Sequence, residues 1–170
     1  LADAILRQSD TPLAKLLDKH APKGEMEMES ALQGAKDIIA ERISEDERAR
    51  QTLRTTFSIH AVIRSKVVKG KDAEGQNFRD YFDWQEPLKR CSSHRLLAMR
   101  RGEAEGILRV SIGVDDGPAM ERIARQFVRG NNECSQHVKE AVRDAYKRLL
   151  KPSIETEFAA LSKEKADEEA

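Results

Sequence analysis

Two Cys-x-x-His units, Cys91–His94 and Cys134–His137, supply four ligands of the kind that hold zinc tetrahedrally. The units stand roughly forty residues apart, whereas compact zinc modules set their ligand pairs close together on tight turns. Each unit also opens a helical pattern, where a first-turn histidine needs no metal to explain it. The expectation is no metal site and no cofactor. Asp115-Asp116 are adjacent carboxylates beside Gly117-Pro118, a pairing that serves turn formation more often than cation binding. Asp80 and Asp83 flank aromatic residues, but no partner for general acid–base work is fixed near them. The chain has no glycine-rich phosphate loop, no nucleophile elbow and no His-Glu-x-x-His. No catalytic residue, no enzymatic activity and no small-molecule substrate are expected.

The basic set is denser. Lys66, Lys69, Lys71, Arg79, Lys89, Arg90, Arg95, Arg100, Arg101 and Arg109 share a stretch with Phe78, Tyr81, Phe82 and Trp84. Cations attract phosphates, and aromatic rings can stack on exposed bases. Asp72, Glu74, Asp80, Asp83, Glu86, Glu103 and Glu105 dilute the positive field. The best candidates for phosphate contact are Lys66, Lys69, Lys71, Arg79, Arg95 and Arg101.

The elements that must position these residues are mostly helices. Leu1, Ala4 and Ile5 start a short helix ending near Ser9. Asp10-Thr11-Pro12 opens a second, with Leu13, Leu16 and Leu17 on its buried face. Ala21-Pro22-Lys23-Gly24 breaks the chain. Met28, Ala31, Leu32, Ala35, Ile38, Ile39 and Ile43 recur at helical spacing. Ser44 with Glu47 reads as a capping box for a helix through Ala49, Leu53 and Phe57. From Ile59 to Val68 the period fits either a helix or a strand, and the β-branched residues favour the strand. Pro87 can open a helical turn. Ser92 or Ser93 caps a helix carrying Leu96, Leu97 and Met99 and closed by Gly102. Leu108, Val110, Ile112 and Val114 alternate with Arg109, Ser111 and Gly113, a strand signal that needs a partner such as 61–68. Three helices follow, the second ending before Pro152 and the third capped by Ser153. The fold class expected is mainly α and multihelical, with at most a small β-hairpin or isolated short strands at about 61–68 and 107–114. The domain reading is one helical region over 1–170: helices to 58, a central block over 59–114 and three helices over 118–167.

Lys plus Arg and Asp plus Glu number 30 each, so overall charge favours no polyanionic partner. The charge is uneven instead: 25–47 is acidic, and 66–109 leans basic. Two cysteines suit a reducing compartment, no apolar run approaches a membrane span, and a cytoplasmic protein is expected. A chain that opens mid-pattern at Leu1 reads as a piece of a larger protein.

Ser65-Lys66-Val67-Val68-Lys69-Gly70-Lys71, Glu74-Gly75, Phe78-Arg79-Asp80-Tyr81-Phe82-Asp83, Glu86-Pro87-Leu88, Ser93-His94-Arg95 and Arg101-Gly102-Glu103-x-Glu105-Gly106-Ile107-Leu108 follow one another in order. This series resembles the Tex family of bacterial transcription accessory proteins. Gly34-Ala35-Lys36-Asp37-Ile38-Ile39-Ala40-Glu41 looks like the helix that precedes the block in that family. Trp84, Arg100 and Gln76-Asn77 depart from the pattern, the last removing one cation. The resemblance implies a multidomain protein with a helical N-terminal region, a ribonuclease-H-like domain, helix-hairpin-helix elements and an RNA-binding OB fold. The chain would then be that helical region. RNA or DNA would be held mainly by domains outside it, and RNA polymerase would be a possible protein partner. The alternative is a scaffold or docking module that locks helices together through its aromatic residues and paired charges.

Overall fold

The computed structural model describes residues 1–20 and 24–168; the break expected at Ala21-Pro22-Lys23 lies outside them. The chain forms two compact units, each assembled from two separate segments: Leu1–Leu53 with Asp116–Pro152, and Arg54–Asp115 with Ser153–Ala170.

The first unit is helical. It contains α1 (Ala2–Leu6), α2 (Leu13–His20), α3 (Glu25–Glu45), the start of α4 (Glu47–His60), α6 (Asp116–Phe127) and α7 (Glu133–Asp144). The expected α3 stripe buries Ala35, Ile39 and Ile43, while Ile38 stays exposed. These residues face α7 and the turn that follows it, and α7 contributes Val138, Ala141 and Val142 to the same core. The α3–α4 junction differs from the capping box read in the sequence. Ser44 donates its hydroxyl back to the Glu41 carbonyl and so stays inside α3, as serine can within a helix. Asp46 leaves the helical conformation and accepts from the Ala49 amide at 2.8 Å, so it is the true cap.

Proline does not end the helix at 152. Residues Ala145–Leu150 form a π turn, in which the Lys151 amide reaches back to the Tyr146 carbonyl, and α8 (Lys151–Glu168) continues without a break. Pro152 has no N–H and its ring crowds the preceding turn. A wider turn directly upstream is where a helix can absorb that demand. Tyr146, fully buried in this turn, donates its hydroxyl to Asp116 at 2.7 Å, and Lys151 reaches the same carboxylate at 3.1 Å.

The second unit holds a three-stranded antiparallel sheet in the order β2-β1-β3, made of β1 (Val62–Val67), β2 (Asp83–Pro87) and β3 (Leu108–Gly113). The stretch ambiguous in the sequence is therefore a strand, and its partner is the alternating segment after Ile107. The chain is mainly α with one small sheet. β2 is the element the sequence did not announce, because an edge strand of mostly exposed polar residues shows no apolar alternation. On the covered face, Ile63, Leu108 and Ile112 are buried. α5 (Ser93–Ala104) packs on β3 there, capped by Ser92, whose hydroxyl accepts from the Arg95 amide at 3.3 Å. Gly102 does not close α5. It lies inside the helix, where an added Cβ would stand 2.4 Å from the Leu108 side chain, and Gly106 at φ +77° makes the exit.

Candidate nucleic-acid interface

Strand alternation divides the basic block into two faces. On β1, Ile63 and Ser65 turn inward and are buried, while Arg64 and Lys66 turn outward and are exposed. On β3, Arg109 and Ser111 are outward and exposed. The register sets Lys66 between Arg109 on β3 and Asp83 on β2, and Arg64 between Ser111 and Gln85. Lys69 follows in the turn beyond β1, which the Val68 amide anchors by donating to the Ile107 carbonyl at 2.8 Å. Arg64, Lys66, Val67, Val68, Lys69, Arg109 and Ser111 line an open groove of about 430 Å³ along β1 and β3.

The cations of this face are weakly neutralised. Lys66 meets Asp83 at 3.3 Å, but the two side chains are 70% and 85% exposed, and such a pair contributes little. Arg64 donates to the neutral Gln85 at 3.3 Å. Lys69 and Arg109 have no ion-pair partner among the described residues. Arg109 directly opposes Lys66, an arrangement that costs stability when both are charged.

The inner side of the block uses its charges internally. Arg95 donates twice to Glu86, at 2.7 and 2.8 Å. Trp84 adds a third hydrogen bond to the same carboxylate through Nε1 at 2.7 Å. Arg95 and its hydrogen bonds hold the Glu86 carboxyl below its ordinary range, Trp84 adding to the effect and burial opposing it. Burial, and then the neighbouring Glu86 charge, push the Cys91 thiol up to about 11. Arg100 is bound to Glu103 at 2.8 Å and to the Ser162 hydroxyl at 2.5 Å. The aromatics follow the same division: Phe78 is buried against Ile107 and Leu108, with Tyr81 and Phe82 packed beside it. Tyr81 also meets the Trp84 ring edge-on at 6.2 Å. Ser65, on the inner face of β1, ties this layer down by donating to the Tyr81 carbonyl at 2.8 Å.

Of the six cations singled out in the sequence, Lys66 and Lys69 therefore meet at one groove. Lys71 stands beyond Gly70 and pairs with Glu74 at 3.5 Å. Arg79 is exposed on the turn of helix at Gln76–Tyr81, and Arg101 is exposed on α5. Arg95 is committed to Glu86. Arg64 and Arg109 were not among the six: Arg64 falls in the stretch whose period was ambiguous, and only the strand pairing sets both beside Lys66. Cys91 and Cys134 are both free and buried, and they belong to different units. No group of three or more His, Cys, Asp or Glu among the described residues is arranged to hold a metal ion. No described helix is long and apolar enough to cross a membrane.

Comparison with known proteins agrees with the ordered motifs. A family model described as Tex central region-like matches residues 8–170. The chain is 37% identical over 161 residues to protein YhgF of Escherichia coli, covering 89% of this chain and 21% of that protein. It is 32% identical over 178 residues to transcriptional accessory protein Tex of Neisseria gonorrhoeae, covering all of this chain and 23% of that one. A more distant relative, at 27% identity over 154 residues, is S1 RNA-binding domain-containing protein 1 of Pongo abelii; the match covers 81% of this chain and 15% of that protein. The chain thus spans about a quarter or less of the length of these relatives. A match across nearly the whole chain, running through the same sheet and helices that carry the ordered motifs, establishes that the chain belongs to the Tex family.

Proposed function

We propose that this chain is a non-catalytic module of a transcription accessory protein and that it contributes to nucleic-acid binding. The observation that carries this reading is the outer face of the sheet. Arg64, Lys66, Lys69 and Arg109 gather there in a chain whose formal charge sums to zero. A local excess of cations within a neutral chain attracts a polyanion by displacing its counterions. The names of two relatives, a transcriptional accessory protein and an S1 RNA-binding domain protein, support the same partner class. A cytoplasmic location suits such a role. The test is a titration of the chain against nucleic acid at low and moderate salt. Affinity that falls steeply with salt is expected, and absence of binding at low salt refutes the reading.

A second reading has its own observation. Arg95, Glu86, Trp84, Phe78 and Tyr81 are spent on one another, so the inner half of the block fastens the fold. A scaffold that docks a protein such as RNA polymerase needs only that half. Binding of purified polymerase without any binding of nucleic acid would favour it.

A further inference from the structure

We infer that the groove along β1 and β3 holds one strand of nucleic acid by its phosphodiester backbone. Arg64, Lys66, Lys69 and Arg109 contact the phosphates, and Ser111 supplies a hydroxyl donor. This rests on the reading that the chain contacts nucleic acid, and it adds where, and in which form.

Three observations carry it. Lys66 and Arg109 are cross-strand neighbours in register. Two cations held side by side repel, and an anion seated between them turns that cost into attraction. The nearest acid, Asp83, lies on the other side of Lys66 and reaches it alone, at 3.3 Å.

The second observation is layout. Arg64, Lys66 and Lys69 succeed one another along β1 and the turn after it, a nearly straight row from which the backbones of a double helix wind away. Residues two apart on a strand repeat at roughly 6.6 Å. That step lets Arg64 and Lys66 serve successive phosphates of an extended strand.

The third is what the groove lacks and what it offers besides charge. Beyond the end of the strand Val68 adds aliphatic lining, surface suited to sugar rings. Phe78 and Tyr81 belong to the covered layer, and Trp84 alternates with the outward Asp83 and Gln85 on β2. Recognition by backbone alone is independent of base identity.

The experiment uses the 170-residue chain with a fluorescein-labelled oligo-dT strand, an oligo-U strand and a mixed-sequence duplex of equal length, read by anisotropy across a salt series. The expected result is binding of both single strands alike and of the duplex more weakly. The slope of log K against log salt should lie at about −2 to −3, the value for four phosphates at roughly −0.7 each. The combined substitution Arg64→Gln, Lys66→Gln, Lys69→Gln, Arg109→Gln should lower affinity at least about tenfold and flatten the slope. Arg109→Glu separates binding from folding. It replaces a like-charged pair with an opposite one, so the melting temperature should hold or rise while affinity falls.

Unchanged binding by the fourfold variant overturns the groove as the site and leaves the broader nucleic-acid reading standing. Duplex bound as tightly as single strand, or binding confined to one sugar type, overturns the single-strand backbone assignment. Absence of binding to every probe at low salt overturns both. A fall in melting temperature that leaves Arg109→Glu partly unfolded at the assay temperature assigns Arg109 a structural role and overturns its part in the site.

Discussion

Arg95 and Glu86 stand nine residues apart in the chain and close on each other through two hydrogen bonds of 2.7 and 2.8 Å, with the Glu86 side chain only 11% exposed. This pair joins the first turn of α5 to edge strand β2. Removing the arginine strands a nearly buried carboxylate, so Arg95→Ala should cost about 2–3 kcal/mol in urea denaturation. Arg95→Lys should recover little, since an ammonium cannot reproduce the two-pronged contact.

The same pair predicts a pH dependence. Arg95, by hydrogen bonding, holds the folded Glu86 carboxyl below its ordinary 4.5. The unfolded state therefore binds the proton more readily, and stability rises with pH through this range. The contribution is complete above about 4.5 and is lost as pH falls through the lower folded value. Trp84, the single tryptophan, donates to Glu86, so its fluorescence during acid titration reads the change directly. Glu86→Gln should flatten this part of the acid limb.

Gly102 and Leu108 make a second test. A Cβ at residue 102 would stand 2.4 Å from Leu108 Cδ1 and 2.7 Å from its Cγ. Gly102→Ala should destabilise by about 1–2 kcal/mol, overpacking outweighing the helix-propensity gain of alanine. In a double-mutant cycle with Leu108→Ala, the two losses should sum to more than the loss of the pair, because the truncated side chain vacates the space.

Tyr146→Phe probes the π turn. It removes the hydroxyl that donates to Asp116 at 2.7 Å, the largest influence holding that carboxyl below its ordinary range. A loss of about 1.5–3 kcal/mol is expected from chemical denaturation.

The thiols give a chemical check. With Cys91 pushed up to about 11 by burial and by Glu86, and Cys134 also raised by burial, neither is an appreciable thiolate near neutral pH. Both cysteines are buried. Reaction with a thiol reagent at pH 8 should be slow in the native chain and complete on adding denaturant.

Helices with a one-sided apolar stripe were readable because α3 and α7 repeat their buried residues at the period their backbone imposes. The alternation of Leu108–Ile112 marked β3 for the same reason. β2 could not be read this way. Asp83–Pro87 owes its extended form to pairing with β1, a long-range contact with no local trace. The groove inherits that limit. Lys66 and Lys69 stand out as charges, but choosing Arg64 over Arg95 requires knowing which face of β1 is covered and that Glu86 has already claimed Arg95. The continuation through Pro152 was hidden as well, since a widened turn is a backbone response that no residue type spells out.

The interleaving of the two units bears on how the chain is made. Within this chain Leu1–Leu53 leaves the ribosome before the rest, yet the partners of α1 and α3 in α7 arrive only with Asp116–Pro152. The entire first segment of the sheet-bearing unit emerges in between. That sheet has all three strands before the helical unit has both its halves, although the unit that bears it still awaits Ser153 onward. Nascent α1 and α3 thus spend that interval without the cover that α7 brings them, a condition that exposes a growing chain to aggregation. A stall or nonsense codon before residue 116 would leave them so permanently.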